Sequence, residues 1–167
     1  MAIRKIVLLP DARLRDLTMP VTEFDDKLQT LIDDMIETMY AANGIGLAAP
    51  QIGISLKLAV IDVSPEKDKP FCIINPEITE RDSQALMEEG CLSVPTVYDK
   101  APRAVKVKMH ALDRTGKPFD MEADGLLAHC IQHEIDHLNG KLFVDYLSPL
   151  KKQRAKKKLD KFKKQLE

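Results

Sequence analysis

The chain has 167 residues, a formal net charge of −1 and a charged fraction of 31%. These values predict one globular domain over residues 1–167 and exclude a disordered chain. The apolar run at residues 6–9 is too short for a signal peptide or a membrane span. Because Cys72, Cys91 and Cys130 are irregularly spaced, a disulfide framework is not expected, and we predict a cytoplasmic protein.

The first part of the chain predicts one helix followed by several strands. Apolar residues recur at helical spacing between Asp25 and Asn43, and Gly44 is a natural end for that helix. Gly44–Gln51 is uncharged and rich in small residues, so its backbone can approach another group closely. It lacks the spacing of a phosphate-binding loop. Strand-like runs follow at residues 56–63, 71–78, 83–88, 105–112 and 117–121.

The last part of the chain contains two predicted helices. One covers residues 124–138 and ends at Asn139-Gly140, and the other continues to about residue 165 with Ser148 as its N-cap. A helix, several strands and further helices in this order predict an α+β fold. In that fold, mainly antiparallel sheets would pack around the central helix.

Charge is unevenly distributed along the chain. Residues 149–167 contain nine basic and two acidic residues, a net charge of +7, whereas the rest of the chain carries −8. Such segregation indicates an anionic partner for the last helix. The alternative is a solvated helix that keeps the protein soluble.

The strongest functional pattern is His-Glu-Ile-Asp-His at residues 133–137. Residues i and i+4 share a helix face, so His133 and His137 can bind one metal ion, with Glu134 beside it as a proton acceptor. The alternative is a histidine pair that faces solvent or the core. His129 lies on the same stripe, but about 12 Å along the helix axis from His137, and cannot bind the same ion.

A third metal ligand must come from elsewhere in the chain. Cys130 is too far along the helix to join the pair and is predicted to be a small buried residue, and Cys72 lies in an apolar strand. Cys91 lies between Gly90 and Pro95, outside regular strand structure, so its thiolate can reach the helix. With this ligand the site keeps an open fourth position, as catalytic sites do. The alternative is an unliganded thiol.

Three separated motifs together resemble those of the bacterial peptide deformylases. They are Gly-Ile-Gly-Leu-Ala-Ala-Pro-Gln at 44–51, Glu-Gly-Cys-Leu-Ser at 89–93 and the motif at 133–137, in the order and spacing of that family. Pro-Asp-Ala-Arg-Leu at 10–14 is similar to the start of its members, so the resemblance covers essentially the whole chain. It implies a hydrolase that removes the formyl group from the formyl-methionine of nascent polypeptides and releases formate.

The resemblance also implies a role for individual residues. One divalent ion, natively Fe(II) with Zn(II), Ni(II) or Co(II) as substitutes, would bind to three ligands. These ligands are Cys91, His133 and His137. Glu134 would act as general base and acid, while Gln51 and the backbone N–H of Leu92 would stabilise the oxyanion. The implied substrate contacts are Ile45, Gly46, Glu89 and His129.

Three residues depart from the family pattern. Asn43 stands where many members have Glu, and Tyr98 where some bacterial members have Arg. His129 stands where an aliphatic residue commonly borders the pocket for the methionine side chain. We hypothesise that this polar ring changes substrate preference or weakens methionine binding.

The C-terminal helix is implied to dock on the ribosome. Basic side chains that contact RNA phosphates release counterions and bind in a salt-dependent manner. The predicted contacts are Lys151, Lys152, Arg154, Lys157 and Lys158. No DNA or membrane partner is expected, and the protein is expected to be a monomer.

Two other functions are open on the sequence alone. A small metalloprotease with the same histidine motif would take its third ligand downstream, where Asp145 is the candidate. A ribosome-associated RNA-binding module with a structural metal would not need Glu134. That reading leaves the Gly44–Gln51 segment unexplained.

Overall fold

The computed structural model describes residues 2–166 as three helices and five strands. The helices are α1 (Asp26–Ala41), α2 (Gly125–Leu138) and α3 (Pro149–Gln165). The strands are β1 (Gly46–Ala48), β2 (Leu58–Ile61), β3 (Phe71–Cys91), β4 (Val94–Leu112) and β5 (Pro118–Asp124). Short 3-10 helices cover Ala12–Arg15, Ala49–Ile52 and Phe143–Tyr146. This composition confirms the α+β class.

The strands form one antiparallel sheet in the order β1-β2-β3-β4-β5, rather than the several sheets predicted. β1 lies at one end of this order, and its register pairs Gly46 with Ile61 of β2. Part of the predicted loop at 44–51 is therefore an edge strand. Two of the predicted substrate contacts lie here: Gly46 begins this strand and Ile45 precedes it.

The β3–β4 hairpin is much longer than the sequence indicates. The two predicted runs at 71–78 and 83–88 belong to one strand, and β4 begins at Val94 instead of residue 105. Register shifts after Ile74 and Ile78 and the positive φ of Ser83 allow the strand to continue through an exposed polar stretch. Leu92 and Ser93 form the turn, so Cys91 stands at the tip of the hairpin.

The helix ends agree closely with the predictions. The Asp25 side chain accepts a hydrogen bond from the backbone N–H of Leu28 at 3.0 Å, and Ser148 accepts one from Lys151 at 3.3 Å. Both therefore satisfy a backbone donor that the helix leaves unpaired. α2 follows Asp124 and ends before Asn139, within one residue of the predicted bounds.

The sheet packs on α2, which contacts all five strands. Its apolar side chains, including Ile131 and Leu138, join a buried cluster with Ile73 and Met109 of the sheet. This burial, rather than intrinsic helix propensity, holds the helix in place and puts the motif at 133–137 inside the protein. Among residues 2–166, no helix has both the length and the apolar character that a bilayer crossing requires.

Candidate metal and active site

A cavity of about 450 Å³ lies between β1, the tip of the β3–β4 hairpin and α2. It brings together most of the residues predicted to act. Those that line it are Ile45, Gly46, Gln51, Glu89, Cys91, Leu92, His129, His133 and Glu134. Residues separated by up to about 90 positions thus meet because an edge strand, a hairpin tip and a helix converge.

Cys91, His133 and His137 form the one group of potential metal ligands found among the described residues, with their donor atoms all within 4.8 Å of one another. Nε2 of His137 is 3.3 Å from Sγ of Cys91 and 3.2 Å from Nε2 of His133. Four-coordinate bonds of about 2.0–2.3 Å place neighbouring donors roughly 3.3–3.8 Å apart. The spacing therefore suits one ion, and His129 lies outside the group, as predicted.

A buried ion-pair network holds His133 from the side opposite the other ligands. Nδ1 of His133 is 2.6 Å from Oε1 of Glu89, whose carboxylate also accepts two hydrogen bonds from Arg103 at 2.5 and 2.9 Å. Arg103 in turn donates to Asp136 at 2.6 Å. A carboxylate on the second ring nitrogen fixes the orientation of a metal-binding histidine. The spacing of residues in the sequence did not indicate that Arg103 or Asp136 would belong to this network.

This network corrects the substrate contact predicted for Glu89. Its side chain is 2% exposed, and both carboxylate oxygens are occupied by Arg103 and by the imidazoles of His129 and His133. Burial raises the pKa of Glu89, but these partners outweigh burial and lower it strongly. Burial acts to lower the pKa of Arg103, but its pairing with Glu89 and Asp136 outweighs burial and raises that pKa. The Glu89 carboxylate therefore stays ionised and supports His133 instead of holding substrate.

The two histidines differ in their electrostatic surroundings. Burial, with the nearby His133 and Arg103, lowers the pKa of His137 well below its usual value, which favours the neutral ring that binds metals. Burial also acts to lower the pKa of His133, but Cys91, Glu134 and Glu89 outweigh it and raise that pKa. Cys91, Glu134 and Glu89 thus favour a proton on His133. A divalent cation between the three ligands would take the place of that proton.

Glu134 is buried beside the ligands, with one carboxylate oxygen that bonds to no described residue. Burial is the main cause that raises its pKa to about 7, and Glu89 adds to the effect while His133 and Arg103 oppose it. Gly46 makes room for this side chain. A Cβ at position 46 would overlap the Glu134 carboxylate and lie 2.9 Å from Sγ of Cys130.

Gln51 is 1% exposed and its amide is held at both ends. Its oxygen accepts from the backbone N–H of Ala48 at 3.0 Å, and Nε2 donates to Oγ of Ser93 at 3.1 Å while lying 3.6 Å from Sγ of Cys91. The Gln51 amide nitrogen therefore lies between Ser93 and the Cys91 thiol. Leu92 opens the hairpin turn, and its N–H bonds to no described residue. Ser93 was not predicted to take part.

The remaining predicted contacts are arranged around the cavity. The carbonyl of Ile45 accepts from the backbone N–H of Asp62 at 2.9 Å, which joins the residue before β1 to the residue after β2. Asn43, with φ of 58°, leads into β1, and the exposed ring of Tyr98 covers Gly90 at the cavity mouth. Nε2 of His129 lies 2.8 Å from Oε2 of Glu89.

Asp145, the candidate ligand of the metalloprotease hypothesis, and the predicted ribosome contacts on α3 lie outside this cavity. Asp145 binds Arg15 through contacts of 2.6 and 2.9 Å and accepts from the N–H of Leu142 at 3.1 Å. It is absent from the ligand group, which removes the third ligand that a metalloprotease would need. The five predicted ribosome contacts on α3 are all exposed, and Lys151 lies 3.2 Å from Asp99.

Comparison with known proteins gives one consistent family. The sequence pattern of the polypeptide deformylases matches residues 3–153. The structure of a peptide deformylase from Legionella pneumophila is 60% identical, with a TM-score of 0.97 over 99% of this chain and 98% of that one. The structure of a peptide deformylase from Ehrlichia chaffeensis in complex with actinonin is 40% identical, with a TM-score of 0.92 over 99% of this chain and 98% of that one. The structure of one from Synechococcus elongatus in complex with actinonin is 44% identical, with a TM-score of 0.89 over 93% of this chain and 86% of that one. The chain therefore belongs to the polypeptide deformylase family, and it is a hydrolase that removes the N-formyl group from nascent peptides.

Proposed function

We propose that Cys91, His133 and His137 hold one divalent ion on the central helix α2, with Fe(II) as the native ion. A thiolate and two imidazoles form a donor set that Fe(II), Zn(II), Co(II) and Ni(II) all accept. Three protein ligands leave a position open toward the cavity. When bound, the ion supplies Lewis acidity and lowers the pKa of a coordinated water toward 7.

Glu134 is the proposed general base and acid. Its buried position beside the proposed ligands and its free carboxylate oxygen suit a group that takes a proton from water and later delivers it to the leaving amine. The reaction breaks the formyl C–N bond, and water supplies both the hydroxyl of formate and a proton for the amine. The observation that carries this proposal is the position of an unpaired buried carboxylate beside three convergent ligands.

Gln51 and Leu92 are the proposed donors to the oxyanion. The Gln51 amide cannot turn freely because Ala48 and Ser93 hold its two ends, and the N–H of Leu92 is free among the described groups. One such preorganised donor is typically worth about 3 kcal/mol in the transition state. The free edge of β1 at Gly46 would pair with the extended peptide, as sheet edges do in other peptide-binding proteins.

Formate release from formyl-Met-Ala-Ser by protein purified without air and loaded with Fe(II) tests this assignment. We expect Glu134→Gln to lower kcat by at least about a hundredfold with metal still bound. We expect Cys91→Ala to lose the metal itself, measured as metal per protein, whereas Cys72→Ala keeps it because Cys72 lies in the sheet away from the cavity. Full activity in Glu134→Gln would contradict the proposal and favour a structural metal.

We also propose that α3 contacts ribosomal RNA, and that the protein is a cytoplasmic monomer. The support for the RNA contact is the net charge of +7 over residues 149–167 and the exposure of the basic residues of α3. Replacing Lys152, Arg154 and Lys157 with Gln should lower ribosome co-sedimentation and weaken its dependence on salt concentration.

The matched control replaces three exposed lysines elsewhere with Gln: Lys100, Lys106 and Lys117. Both triple variants remove the same charge, so a specific contact predicts loss of co-sedimentation in the helix variant alone. Equal loss in both would show that net charge, and not α3, determines binding.

A further inference from the structure

A second cavity, of about 500 Å³, lies between α2 and the β3–β4 hairpin. The α2 residues that line it recur at helical spacing on a face other than that of the metal ligands: Gln132, Ile135, Asp136 and Asn139. None of the described residues that line the second cavity also lines the cavity beside the metal ligands. The two cavities are therefore separate.

The wall opposite α2 is formed by an irregular part of the hairpin. The register of β3 shifts between Ile78 and Glu80, and Ser83 has a φ of 58°, which is uncommon for a residue other than glycine. Irregularities of this kind bend a strand. Because Ile78 and Ser83 both line the second cavity, it lies where β3 departs from regular strand geometry.

Arg103 brings a buried positive charge to the second cavity. Its side chain is 3% exposed, and its hydrogen bonds to Glu89 and Asp136 use three of its five N–H groups. The other two N–H groups have no acceptor at hydrogen-bond distance among residues 2–166. Because a buried donor without an acceptor costs free energy, a ligand that supplies acceptor oxygens to Arg103 would be stabilised.

The charges around the second cavity favour an anion. Arg81 and Lys141 also line it, are exposed, and lie beyond ion-pair distance from every described acidic side chain. Asp136, the one acidic residue in the described lining, is already paired with Arg103. The carboxylates paired with Arg103 oppose its charge, so the excess positive charge comes from Arg81 and Lys141. Guanidinium groups of this kind bind carboxylates and phosphates through paired hydrogen bonds.

The second cavity also offers apolar contact to a ligand. Ile78, Pro102 and Ile135 line it, and the centroid of the Tyr146 ring lies 5.1 Å from Cζ of Arg103. Cavities of about 300–1,000 Å³ that combine apolar walls with a few polar groups are typical of small-molecule sites. A ligand that uses both kinds of contact has an anionic head group and an apolar body.

We propose that the second cavity is a binding site for a small organic anion with a carboxylate or phosphate head group. The head group lies among Arg81, Arg103 and Lys141, and the body lies against the apolar side chains. An occupant that bonds to Arg103 contacts the guanidinium that also holds Glu89, and Glu89 bonds to the ring of His133. The site is separate from the proposed substrate site and is joined to a proposed metal ligand by consecutive hydrogen bonds.

The test is a titration of isotope-labelled, Zn(II)-loaded protein with naphthylacetate, followed by two-dimensional NMR. Naphthylacetamide has nearly the same shape without the charge, and so controls for the head group. We expect naphthylacetate to bind with a Kd of about 1 mM or lower, and the amide at least about tenfold more weakly. Resonances of Ser83, Gln84 and the Arg103 side chain should shift, whereas those of Gly46 and Leu92 beside the metal ligands should not.

A double variant tests the charged residues directly. We expect Arg81→Gln combined with Lys141→Gln to weaken naphthylacetate binding at least about tenfold. The matched control combines Lys100→Gln with Lys117→Gln, which removes the same charge from exposed lysines that do not line the second cavity. Binding to this control should stay within about twofold of wild type.

Three results would overturn the proposal. One is the absence of shifts at Ser83, Gln84 and Arg103 with naphthylacetate at about ten times the expected Kd. Another is equal affinity for the acid and the amide, which would exclude recognition of charge. The third is an equal loss of binding in the two double variants, which would show that net charge alone attracts the anion.

Discussion

Gly46 lets the backbone of β1 approach α2 closely at the place where Glu134 lies. Any Cβ at this position would occupy the volume of the Glu134 carboxylate. The neighbouring Cys130 prevents this Cβ from shifting in another direction, since its Sγ would be 2.9 Å from the same Cβ. A side chain at position 46 therefore has to displace the proposed general base.

We expect Gly46→Ala to lower kcat/KM by about a hundredfold, because a shift of about 1 Å in a catalytic group has this effect. Gly44→Ala is the matched control. Its Cβ would meet the end of the Leu92 side chain at 2.8 Å, and that flexible end can move. Steady-state assays with formyl-Met-Ala-Ser give both values, and near wild-type activity in Gly46→Ala would show that Glu134 tolerates the displacement.

Some residues of the candidate site could be predicted from the sequence, and others could not. Cys91, His133 and His137 were predicted as ligands from the helical spacing of the histidines and from the glycine and proline near Cys91. The expectation that Cys91 lies outside regular strand structure was wrong, because β3 continues to Cys91 and the turn begins at Leu92. Arg103 was missed, since it meets Glu89 only through the path of β4 across the hairpin. Contacts of this kind depend on strand register, which no local pattern in the sequence specifies.

Among the elements, the helices were predictable and the hairpin was not. Helix ends carry local signals, and Ser148 was predicted as an N-cap from its neighbours alone. Asp25 was predicted only as the start of the helical spacing, and the structure shows that it caps α1. β4 contains Pro95 and Pro102, which lack a backbone donor and are uncommon inside strands. Its pairing with β3 is a long-range interaction that outweighs this unfavourable local propensity.

An ion pair joins the N-terminal 3-10 helix to the segment after α2. Arg15 binds the Asp145 carboxylate and the carbonyl of Gly140 at 2.9 Å. Burial tends to raise the pKa of Asp145, but the bonds from Arg15 and from the N–H of Leu142 outweigh it and lower that pKa. This carboxylate thus stabilises the fold in its ionised form.

We expect Arg15→Gln to lower the free energy of unfolding by about 1 kcal/mol or less at pH 7, because the pair is partly exposed to solvent. A lowered folded-state pKa stabilises the protein above the unfolded value of about 3.9, and this stabilisation is lost as pH falls through the folded value. The difference between wild type and variant should therefore begin to shrink as pH falls below about 4, and it should be lost once the pH is below the lowered folded-state pKa. Urea unfolding at pH 7 and pH 3.5 measures it, and an equal difference at both pH values would contradict the ion pair.

At the scale of the whole molecule, the proposed ligands come from two parts of the fold that pack in different clusters. Cys91 stands at the hairpin tip beside the cluster that includes α3, whereas α2 packs against the sheet. An ion between them joins chain segments roughly 40 residues apart. In the simplest chain-entropy picture, a cross-link over such a loop is worth about 4 kcal/mol.

We expect removal of the ion by a chelator to lower the Tm by about 10 °C, since an ion present at a thousandfold excess over its Kd stabilises the folded state by about 4 kcal/mol. Cys91→Ala should unfold at the same temperature with or without chelator, while Cys72→Ala should keep the shift. Thermal unfolding followed by circular dichroism distinguishes these cases. A wild-type Tm that is insensitive to chelation would mean that the hairpin tip is held without the ion.

If Cys91 on the hairpin and the two histidines on α2 hold the ion as proposed, the metal supply of the cell would affect the enzyme in two ways. A shortage of the ion would leave molecules inactive, and it would also raise the fraction that is unfolded and open to proteases. Enzyme abundance would then fall together with activity. Nascent-chain processing would respond to metal starvation more steeply than occupancy of the site alone predicts.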